Sequence, residues 1–326
     1  MIITRTPLRI SIGGGGTDLP SYYEKRGGFV ISAAIDKYVY ITVNRTFRPG
    51  YLLKYSKLEH AQSIGEIKHA ILRETLRLMD IEPAVEVVSI ADVPAGTGLG
   101  SSGSFTVGLA LALHAHKRLK ISTEDLARLA NHIEMDILGE PCGKQDHYIA
   151  AYGGLTCQEY APSGEVTVTP LAVSDATIRD LSENLQLFFT GYSREAAGIL
   201  ADQKKKSEKG EASMIDGLDA VKRLGLDIKD RLQAGDTRAF AELMHEHWLA
   251  KQARDGNISN DRINQVYALA RDNGALGGKL VGAGSGGFML FYAPERARLR
   301  AAMQRAGLQE MAFAFDFDGA IVQLRN

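Results

Sequence analysis

The amino-acid sequence predicts an α+β protein of two domains, residues 1–180 and 181–326. The first domain opens with β-branched residues that alternate in hydrophobicity around a run of glycines, and it then changes to helical spacing. A fresh apolar run begins at Leu185, and strand-like segments return after a long helical region. A length of 326 residues is enough for two separate hydrophobic cores.

The first domain is predicted to be β-rich at its start and helical afterwards. Helix 123–138 is preceded by Ser122, with Asp125 in capping-box position, and it is closed by Gly139. Residues 161–183 are predicted to be a polar connecting stretch. The remaining predicted elements are strands 2–12, 29–46 and 155–160 and helices 63–79, 102–119 and 148–152.

The second domain is predicted to combine helices with short buried strands. Two apolar runs within residues 279–292 flank a glycine-rich loop, and residues 312–323 are predicted to form a hairpin that turns at Asp318-Gly319. The other predicted elements are strand 185–190 and helices 196–233, 238–254, 261–273 and 294–305.

The balance of charges favours a small-molecule substrate. The 38 basic and 39 acidic residues are well mixed, so neither nucleic acid nor a membrane surface is indicated as a partner. The first residues lack the pattern of a signal peptide, and no apolar run approaches membrane-spanning length, so we expect a cytoplasmic protein. Cys142 and Cys157 fit neither a disulfide framework nor a metal site. A homodimer and a higher homo-oligomer both remain open.

The longest glycine-rich segment immediately precedes a predicted helix. Backbone N–H groups at a helix start lack intrahelical partners, and together with the helix dipole they form a site for a di- or triphosphate. Glycines allow close approach to the anion, and a serine hydroxyl can contact a phosphate or Mg²⁺. The segment comprises Pro94, Gly96, Gly98, Leu99, Gly100, Ser101, Ser102, Gly103 and Ser104.

Three other interpretations of the glycines are weaker. The dinucleotide pattern is matched by residues 98–103 and 282–287, but that fold needs a compact βαβ unit, whereas here one helix runs into another. A Walker loop needs a lysine followed by Ser or Thr, which is absent. The face formed by Ser104, Gly108 and Ala112 could serve tight helix packing alone, although packing does not require serines at the helix start.

Two acidic residues follow at positions suited to phosphoryl transfer. Glu134 interrupts the apolar stripe of Leu126, Ala130, Ile133 and Ile137, so it should face inward, where a carboxylate needs a partner or a cation. Asp146 lies on a loop or first helical turn and could accept the proton of an attacking hydroxyl. A salt bridge from Glu134 to an arginine and an N-cap role for Asp146 are the alternatives.

Arg9 and Asp18 stand on either side of the first glycine run. Asp18 could accept hydrogen bonds from sugar hydroxyls, while Arg9 could support Asp146 or the developing phosphoryl charge. A purely structural Arg–Asp pair across a turn is the alternative.

These three glycine segments, in this order, resemble the GHMP kinase superfamily along essentially the whole chain. The first motif is residues 9–18, the second is 94–102 and the third is 279–287. The resemblance implies a ribosomal-S5-like first domain, a ferredoxin-like second domain and an Mg²⁺- and ATP-dependent kinase. It also implies that Asp146 and Arg9 are catalytic, that Ser102 and Glu134 hold Mg²⁺ and that Gly284 contacts the nucleotide.

One departure from the galactokinases within this family is informative. They carry a Glu-His pair where this chain has Gly15-Gly16, which argues against galactose. The string Gly-Gly-Gly-Gly-Thr-Asp-Leu-Pro and residues 191–196 resemble the branch that acts on D-glycero-D-manno-heptose 7-phosphate. That resemblance implies phosphorylation of the anomeric C1 hydroxyl to the 1,7-bisphosphate, on the route to nucleotide-activated heptose for surface polysaccharide.

A sugar phosphate also needs a cation at the far end of its pocket. The candidates are Lys144, Lys251, Arg254 and, as our preference, Arg194. An unphosphorylated sugar of the fucose, arabinose or N-acetylhexosamine type is the alternative substrate, and a sensor that binds sugar and ATP without turnover is the alternative function. The expected substrate contacts are Asp18, Gly15, Gly16, Thr17, Gly143, Arg194, Gly282 and Ser285.

Overall fold

The fold is organised around one long antiparallel pair of strands, β1 (Ile2–Gly14) and β2 (Gly28–Arg45). The computed structural model describes residues 1–192 and 196–325. Helix α1 (Pro20–Arg26) connects the two strands, and it begins with a proline, which suits the first position of a helix. Most side chains of both strands are buried, because helices cover the pair.

The first sheet continues on both sides of this pair. Because β2 is 18 residues long, its first half pairs with β6 and its second half with β5. The order along the main path is β12-β1-β2-β5-β3-β4, and β7 adds to β6. The elements involved are β3 (Tyr51–Lys54), β4 (Leu58–Ala61), β5 (Val85–Ala91), β6 (Leu155–Tyr160), β7 (Val166–Pro170) and β12 (Ile321–Arg325).

Helix α3 (Ser101–His116) packs directly on β1 through its small residues. The Ser104 hydroxyl donates to the Pro7 carbonyl at 2.7 Å, and a Cβ at Gly108 would lie 2.7 Å from Thr6 Oγ1. This contact holds the start of α3 against the middle of β1. The other helices of this half are α2 (Ala70–Leu78), α4 (Thr123–Asn131), α5 (Gln145–Tyr152) and α6 (Asp175–Asn184).

The second sheet has four strands in the order β11-β8-β10-β9. All its pairings are antiparallel, and Trp248 and Phe291 lie fully buried in the core beside it. Its strands are β8 (Leu185–Phe189), β9 (Gly277–Leu280), β10 (Phe288–Tyr292) and β11 (Gln309–Met311). The helices of this half are α7 (Ala196–Glu208), α8 (Ala212–Gln233), α9 (Thr237–Arg254), α10 (Asp261–Asp272) and α11 (Arg296–Arg305).

The predicted C-terminal hairpin is wrong. The residues around Asp318-Gly319 do not join two paired strands, because β11 pairs with β8 in the second sheet and β12 pairs with β1 in the first. The end of the chain therefore returns to the first sheet. The predicted division near residue 180 falls within α6 and stays a prediction.

Several helix boundaries also differ from the prediction. Residues 63–79 are one 3₁₀ turn (Ile64–Glu66) followed by α2, because Ile67 has an extended backbone and His69 caps α2 through its side chain. Residues 196–233 are split at Gly210, which has φ +67°. The stretch 161–183, predicted to be connecting, contains β7 and most of α6.

Helix 123–138 also changes character along its length. Its last part is a π-helical turn (His132–Ile137), which shifts the apolar stripe and leaves Ile137 exposed while Ile133 and Glu134 stay buried. In the part of the chain that the structure describes, no helix is both long enough and apolar enough to cross a bilayer.

Candidate functional site

The first glycine segment is a turn at the end of β1 that only glycine can form without strain. Gly14, Gly15 and Gly16 have φ values of +66°, +102° and +78°. A Cβ at Gly14 would lie 2.1 Å from the Phe29 carbonyl oxygen. The turn therefore brings Asp18 back toward the end of β1.

The second glycine segment leads into the N-terminus of α3, which lies next to Asp146. Gly100 is the N-cap residue with φ +76°, and no side chain in the described chain caps the helix there. A Cβ at Gly103 would lie 2.8 Å from the Cβ of Asp146. The free N–H groups and the positive end of the helix dipole thus point into a site next to Asp146.

The third glycine segment braces the second. A Cβ at Gly282 would lie 2.6 Å from the Cα of Gly98, and a Cβ at Gly287 would lie 2.2 Å from the Thr97 carbonyl oxygen. Both glycines also have positive φ. The two loops are in backbone-to-backbone contact, which any side chain at these positions would force apart.

Arg9 and Asp146 form a short ion pair at the centre of the site. Arg9 Nε donates to Asp146 Oδ1 at 2.7 Å, and Arg9 Nη1 donates to the Gly98 carbonyl. The Arg9 side chain is 6% exposed and the Asp146 side chain 26% exposed. Asp146 is in the first turn of α5 and is not its N-cap residue, which is Lys144. The carboxylate is therefore held in position and still reaches the cleft.

Asp18 lies beside this pair and is almost fully buried. Its two oxygens accept hydrogen bonds from the backbone N–H groups of Gly16 and Gln145, at 3.0 and 3.2 Å. Burial raises the pKa of Asp18, and the nearby negative charge of Asp146 raises it further. A Cβ at Gly143 would lie 1.9 Å from Asp18 Oδ2, so the loop before α5 closes directly over this carboxylate.

Glu134 faces inward, as predicted, but its partners are not an arginine. Ser102 donates to Glu134 Oε2 at 2.8 Å, Thr106 donates to Oε1, and His147 Nε2 lies 3.1 Å from Oε1. Burial opposes ionisation of Glu134, but His147 and the two hydroxyls outweigh it, so its pKa lies below the ordinary value. An ionised carboxylate beside a serine hydroxyl is a donor set that suits Mg²⁺.

Three buried basic side chains, Lys251, Arg254 and Lys279, line the same site as these acids. Lys251 donates to the carbonyls of Leu280 and Gly282, while Arg254 donates through Nη2 to Gln203 Oε1 at 3.2 Å. Burial, together with the neighbouring charges of Arg9 and Arg254, lowers the pKa of Lys279 to about 7. Burial also lowers the pKa of Lys251 well below its ordinary value.

The sequence analysis missed Lys279 as a site residue and could not choose between Lys251 and Arg254. A signal was available in the spacing of α9, where His247, Lys251 and Arg254 recur at helical intervals of four and three residues. All three are buried on the face of α9 that meets the glycine turns.

These groups surround one cleft of about 1010 Å³. Its other end is aromatic and mostly apolar. There His69 stacks on Phe105 with ring centroids 5.1 Å apart, and Tyr55 meets His69 edge-on at 4.7 Å. The predicted residues that line the cleft are Arg9, Gly15, Gly16, Asp18, Pro94, Gly96, Gly98, Gly100, Ser101, Ser102, Gly103, Glu134, Gly143, Asp146 and Gly282.

Other predicted residues are near the cleft without lining it. Thr17 hydrogen-bonds with Phe29, Ser104 donates to Pro7, and Ser285 donates to the Asn257 carbonyl. Leu99 is fully buried, and a Cβ at Gly284 would contact Ile258. Their geometry is that of packing and turn residues. Arg194 lies outside the described residues.

Comparison with known proteins identifies the family. The family described as GHMP kinases N terminal domain matches residues 64–154, and the family described as GHMP kinases C terminal matches residues 228–309. The chain is 32% identical over 304 residues to a D-glycero-alpha-D-manno-heptose 7-phosphate kinase from Campylobacter jejuni, covering 89% of each protein. It is 27% identical to a galactokinase from Thermococcus kodakarensis, covering 86% of each.

Solved structures agree with these matches. A D-glycero-D-manno-heptose 1-phosphate kinase from Bacteroides thetaiotaomicron superposes with a TM-score of 0.82 at 25% identity, over 100% of both chains. A putative sugar kinase from Campylobacter jejuni superposes with a TM-score of 0.78 at 28% identity, over 98% of this chain and 97% of the other. The predicted two-domain α+β fold is confirmed.

The electrostatic coupling of Asp18 and Asp146 can be tested by titration. Replacing Asp146 by asparagine removes a negative charge and leaves Arg9 less compensated, and both changes favour ionised Asp18. We expect D146N to lower the pKa of Asp18. The pKa is measured from the ¹³C chemical shift of the Asp18 carboxyl group as a function of pH. The matched control is D136N, which removes an exposed carboxylate. An unchanged Asp18 pKa in D146N would contradict the coupling.

Proposed function

The chain belongs to the GHMP kinase superfamily and is an ATP-dependent sugar kinase, and from this premise we propose that it phosphorylates the C1 hydroxyl of D-glycero-D-manno-heptose 7-phosphate. The product is the 1,7-bisphosphate, a precursor of nucleotide-activated heptose for surface polysaccharide, and we place the reaction in the cytoplasm. The observation that carries the chemistry is Asp146, held by Arg9 within contact distance of the α3 N-terminus.

ATP fits the cleft in one direction. The triphosphate would lie on the free N–H groups of α3 and the glycines of residues 96–103, where the helix dipole favours negative charge. The adenine would then lie against the aromatic end formed by Tyr55, His69 and Phe105. In this orientation the γ-phosphate lies nearest Asp146.

Mg²⁺ is proposed to bind at Ser102 and Glu134. Mg²⁺ usually keeps several waters and takes one or two protein carboxylates together with the phosphates of its nucleotide. Ser102 and Glu134 supply a hydroxyl and an ionised carboxylate that already contact each other. When bound, the ion would neutralise charge on the transferring phosphoryl group.

Asp146 is proposed to accept the proton of the sugar hydroxyl. The hydroxyl oxygen forms a bond to the γ-phosphorus, the bond between that phosphorus and the β-phosphate oxygen breaks, and ADP leaves. The proton passes to the Asp146 carboxylate, which Arg9 keeps oriented. Asp18, whose Oδ2 accepts from the backbone N–H of Gln145, the residue before Asp146, is suited to bind other hydroxyls of the ring.

The choice of a heptose 7-phosphate rests on two supports. The Campylobacter jejuni relative is named a heptose 7-phosphate kinase, which supports the position of the phosphate, while the Bacteroides structure, named a heptose 1-phosphate kinase, supports only a heptose as the sugar. The cleft is also lined by three buried basic side chains, Lys251, Arg254 and Lys279. A bound phosphate would stabilise their cationic forms, which burial disfavours, whereas a neutral sugar would not.

A substrate panel tests this proposal. We expect kcat/KM for heptose 7-phosphate to exceed that for unphosphorylated heptose, L-fucose and N-acetylglucosamine by about 10²-fold or more, since an anion contacted by buried cations gives strong discrimination. ADP release measures the rate, and ³¹P NMR identifies the phosphorylated position. A preference for an unphosphorylated sugar would reject heptose 7-phosphate as the substrate. Absence of turnover with every sugar would favour a non-catalytic sensor.

Removal of the proposed base should separate chemistry from binding. We expect D146N to lose about 10²-fold or more in kcat, because a positioned proton acceptor is gone, while ATP still binds at α3. Single-turnover kinetics and ATP titration by calorimetry measure the two quantities. D136N serves again as the control that should keep full activity. Wild-type turnover in D146N would refute the role of Asp146.

Removal of the proposed metal ligand should change the Mg²⁺ requirement. We expect E134Q to raise the Mg²⁺ concentration for half-maximal activity at least about tenfold, because a neutral amide binds Mg²⁺ less strongly than a carboxylate. Binding of Mn²⁺ in the presence of a non-hydrolysable ATP analogue, measured by electron paramagnetic resonance, checks the site without turnover. Unchanged metal titrations would return Glu134 to a structural role as the partner of His147.

A further inference from the structure

We propose that Arg254 is the specificity-determining residue of this kinase, because its guanidinium binds the second, non-reacting phosphate of the sugar substrate. This inference rests on the proposed function, since only a phosphorylated sugar brings that group. Arg254 is the last residue of α9 and lines the cleft.

Arg254 is buried with few direct hydrogen bonds in the described part of the chain, although the charges of Asp255 and Asp18 are near enough to favour its cationic form. The residue is 5% exposed, and its Nε and Nη1 atoms have no hydrogen-bond partner there. Its one contact of this kind is from Nη2 to the neutral amide of Gln203. Burying guanidinium N–H groups without hydrogen-bond acceptors is costly, so the arrangement is suited to an anion that arrives with the substrate and accepts from Nε and Nη1.

Two further basic side chains lie near Arg254. The charge of Arg254 contributes, after burial, to lowering the pKa of Lys251 and of Lys279, so an anion bound there would favour the cationic form of both lysines. Lys251 is already engaged by two carbonyl oxygens of the third glycine segment, which leaves Arg254 and Lys279 as the groups that could contact a ligand directly. Of these two, the guanidinium alone offers the planar pair of donors that matches a phosphate.

The position of Arg254 matches the far end of the sugar. Its Nη1 would be 2.9 Å from a Cβ built on Gly16, and the Gly16 N–H donates to Asp18. The other oxygen of Asp18 accepts from Gln145, which precedes Asp146 in α5. Arg254 and Asp146 therefore stand at opposite ends of one row of contacts, with the proposed hydroxyl-binding carboxylate between them.

Lys144, another cation candidate of the sequence analysis, differs from Arg254 in its position. Lys144 does not line the cleft, because its ammonium donates to the Gly164 carbonyl at 2.6 Å and lies 4.9 Å from the centre of the Tyr23 ring. Its direction is away from the glycine turn. Lys144 is thus a matched control, a half-buried cation of the same neighbourhood outside the proposed contact.

The test compares two sugars in four proteins. The wild type, R254Q, R254K and K144Q are each assayed with heptose 7-phosphate and with unphosphorylated heptose at saturating ATP. We expect R254Q to lower the ratio of the two kcat/KM values about 10²-fold, R254K to lower it less, and K144Q to leave it unchanged. Activity on unphosphorylated heptose shows that each variant is folded.

Two outcomes would overturn the inference. An equal loss on both sugars in R254Q would mean that Arg254 supports the fold and does not read the phosphate, and a ratio that falls as far in K144Q would mean that general charge is responsible. Either result leaves heptose 7-phosphate as the substrate.

Failure of the proposed function gives a different pattern. If the wild type prefers unphosphorylated heptose, inorganic phosphate is titrated as an inhibitor competing with the sugar at saturating ATP. Competition that disappears in R254Q keeps Arg254 as an anion-binding residue without the proposed substrate. Absence of competition in the wild type, or equal competition in R254Q, rejects the anion site as well.

Discussion

The site depends on one buried arginine in the middle of the longest strand pair. Arg9 donates to Asp146 and to the Gly98 carbonyl, and its own backbone N–H donates to Leu99. One side chain on β1 thus fixes the loop before α3 and the first turn of α5 together. A charged hydrogen bond in a buried position is worth about 1.5–3 kcal/mol, and its geometry is stricter than that of an exposed ion pair. The geometry of the Arg9–Asp146 pair is therefore set by the central strand β1.

Like charges lie near one another in the cleft, alongside the Arg9–Asp146 ion pair. Burial and the charge of Asp146 raise the pKa of Asp18, while burial and the charges of Arg9 and Arg254 lower the pKa of Lys279. An isolated buried charge costs several kcal/mol after relaxation of its surroundings. A ligand anion near Arg254 and Lys279 would stabilise their cationic forms, and ligand hydroxyls could donate to Asp18.

The parts of the site that the sequence predicts are those with a local signal. Glycine segments, the helix that follows one of them, and Glu134 within an apolar stripe are all local patterns, and the structure brings them into one cleft. The pairing of β12 with β1 is not predictable in this way, because it joins opposite ends of the chain. The π-helical turn after α4 was missed since its residues have ordinary helical preferences. The sequence shows that Lys251 and Arg254 lie on one face of α9, but only the fold reveals that this face is buried.

The three glycine segments act as a single unit, although each looks like a separate phosphate loop in the sequence. Gly282 meets Gly98 backbone to backbone, and Gly98 in turn accepts the Arg9 hydrogen bond. Lys251 donates to the carbonyl of Gly282, so α9 is linked through this loop to the Arg9–Asp146 pair. Because Gly98 and Gly282 have no side chains, their backbones approach closely enough for one loop to fix the position of the other. Glycine in the third segment therefore serves the geometry of the second, which leads into the N-terminus of α3.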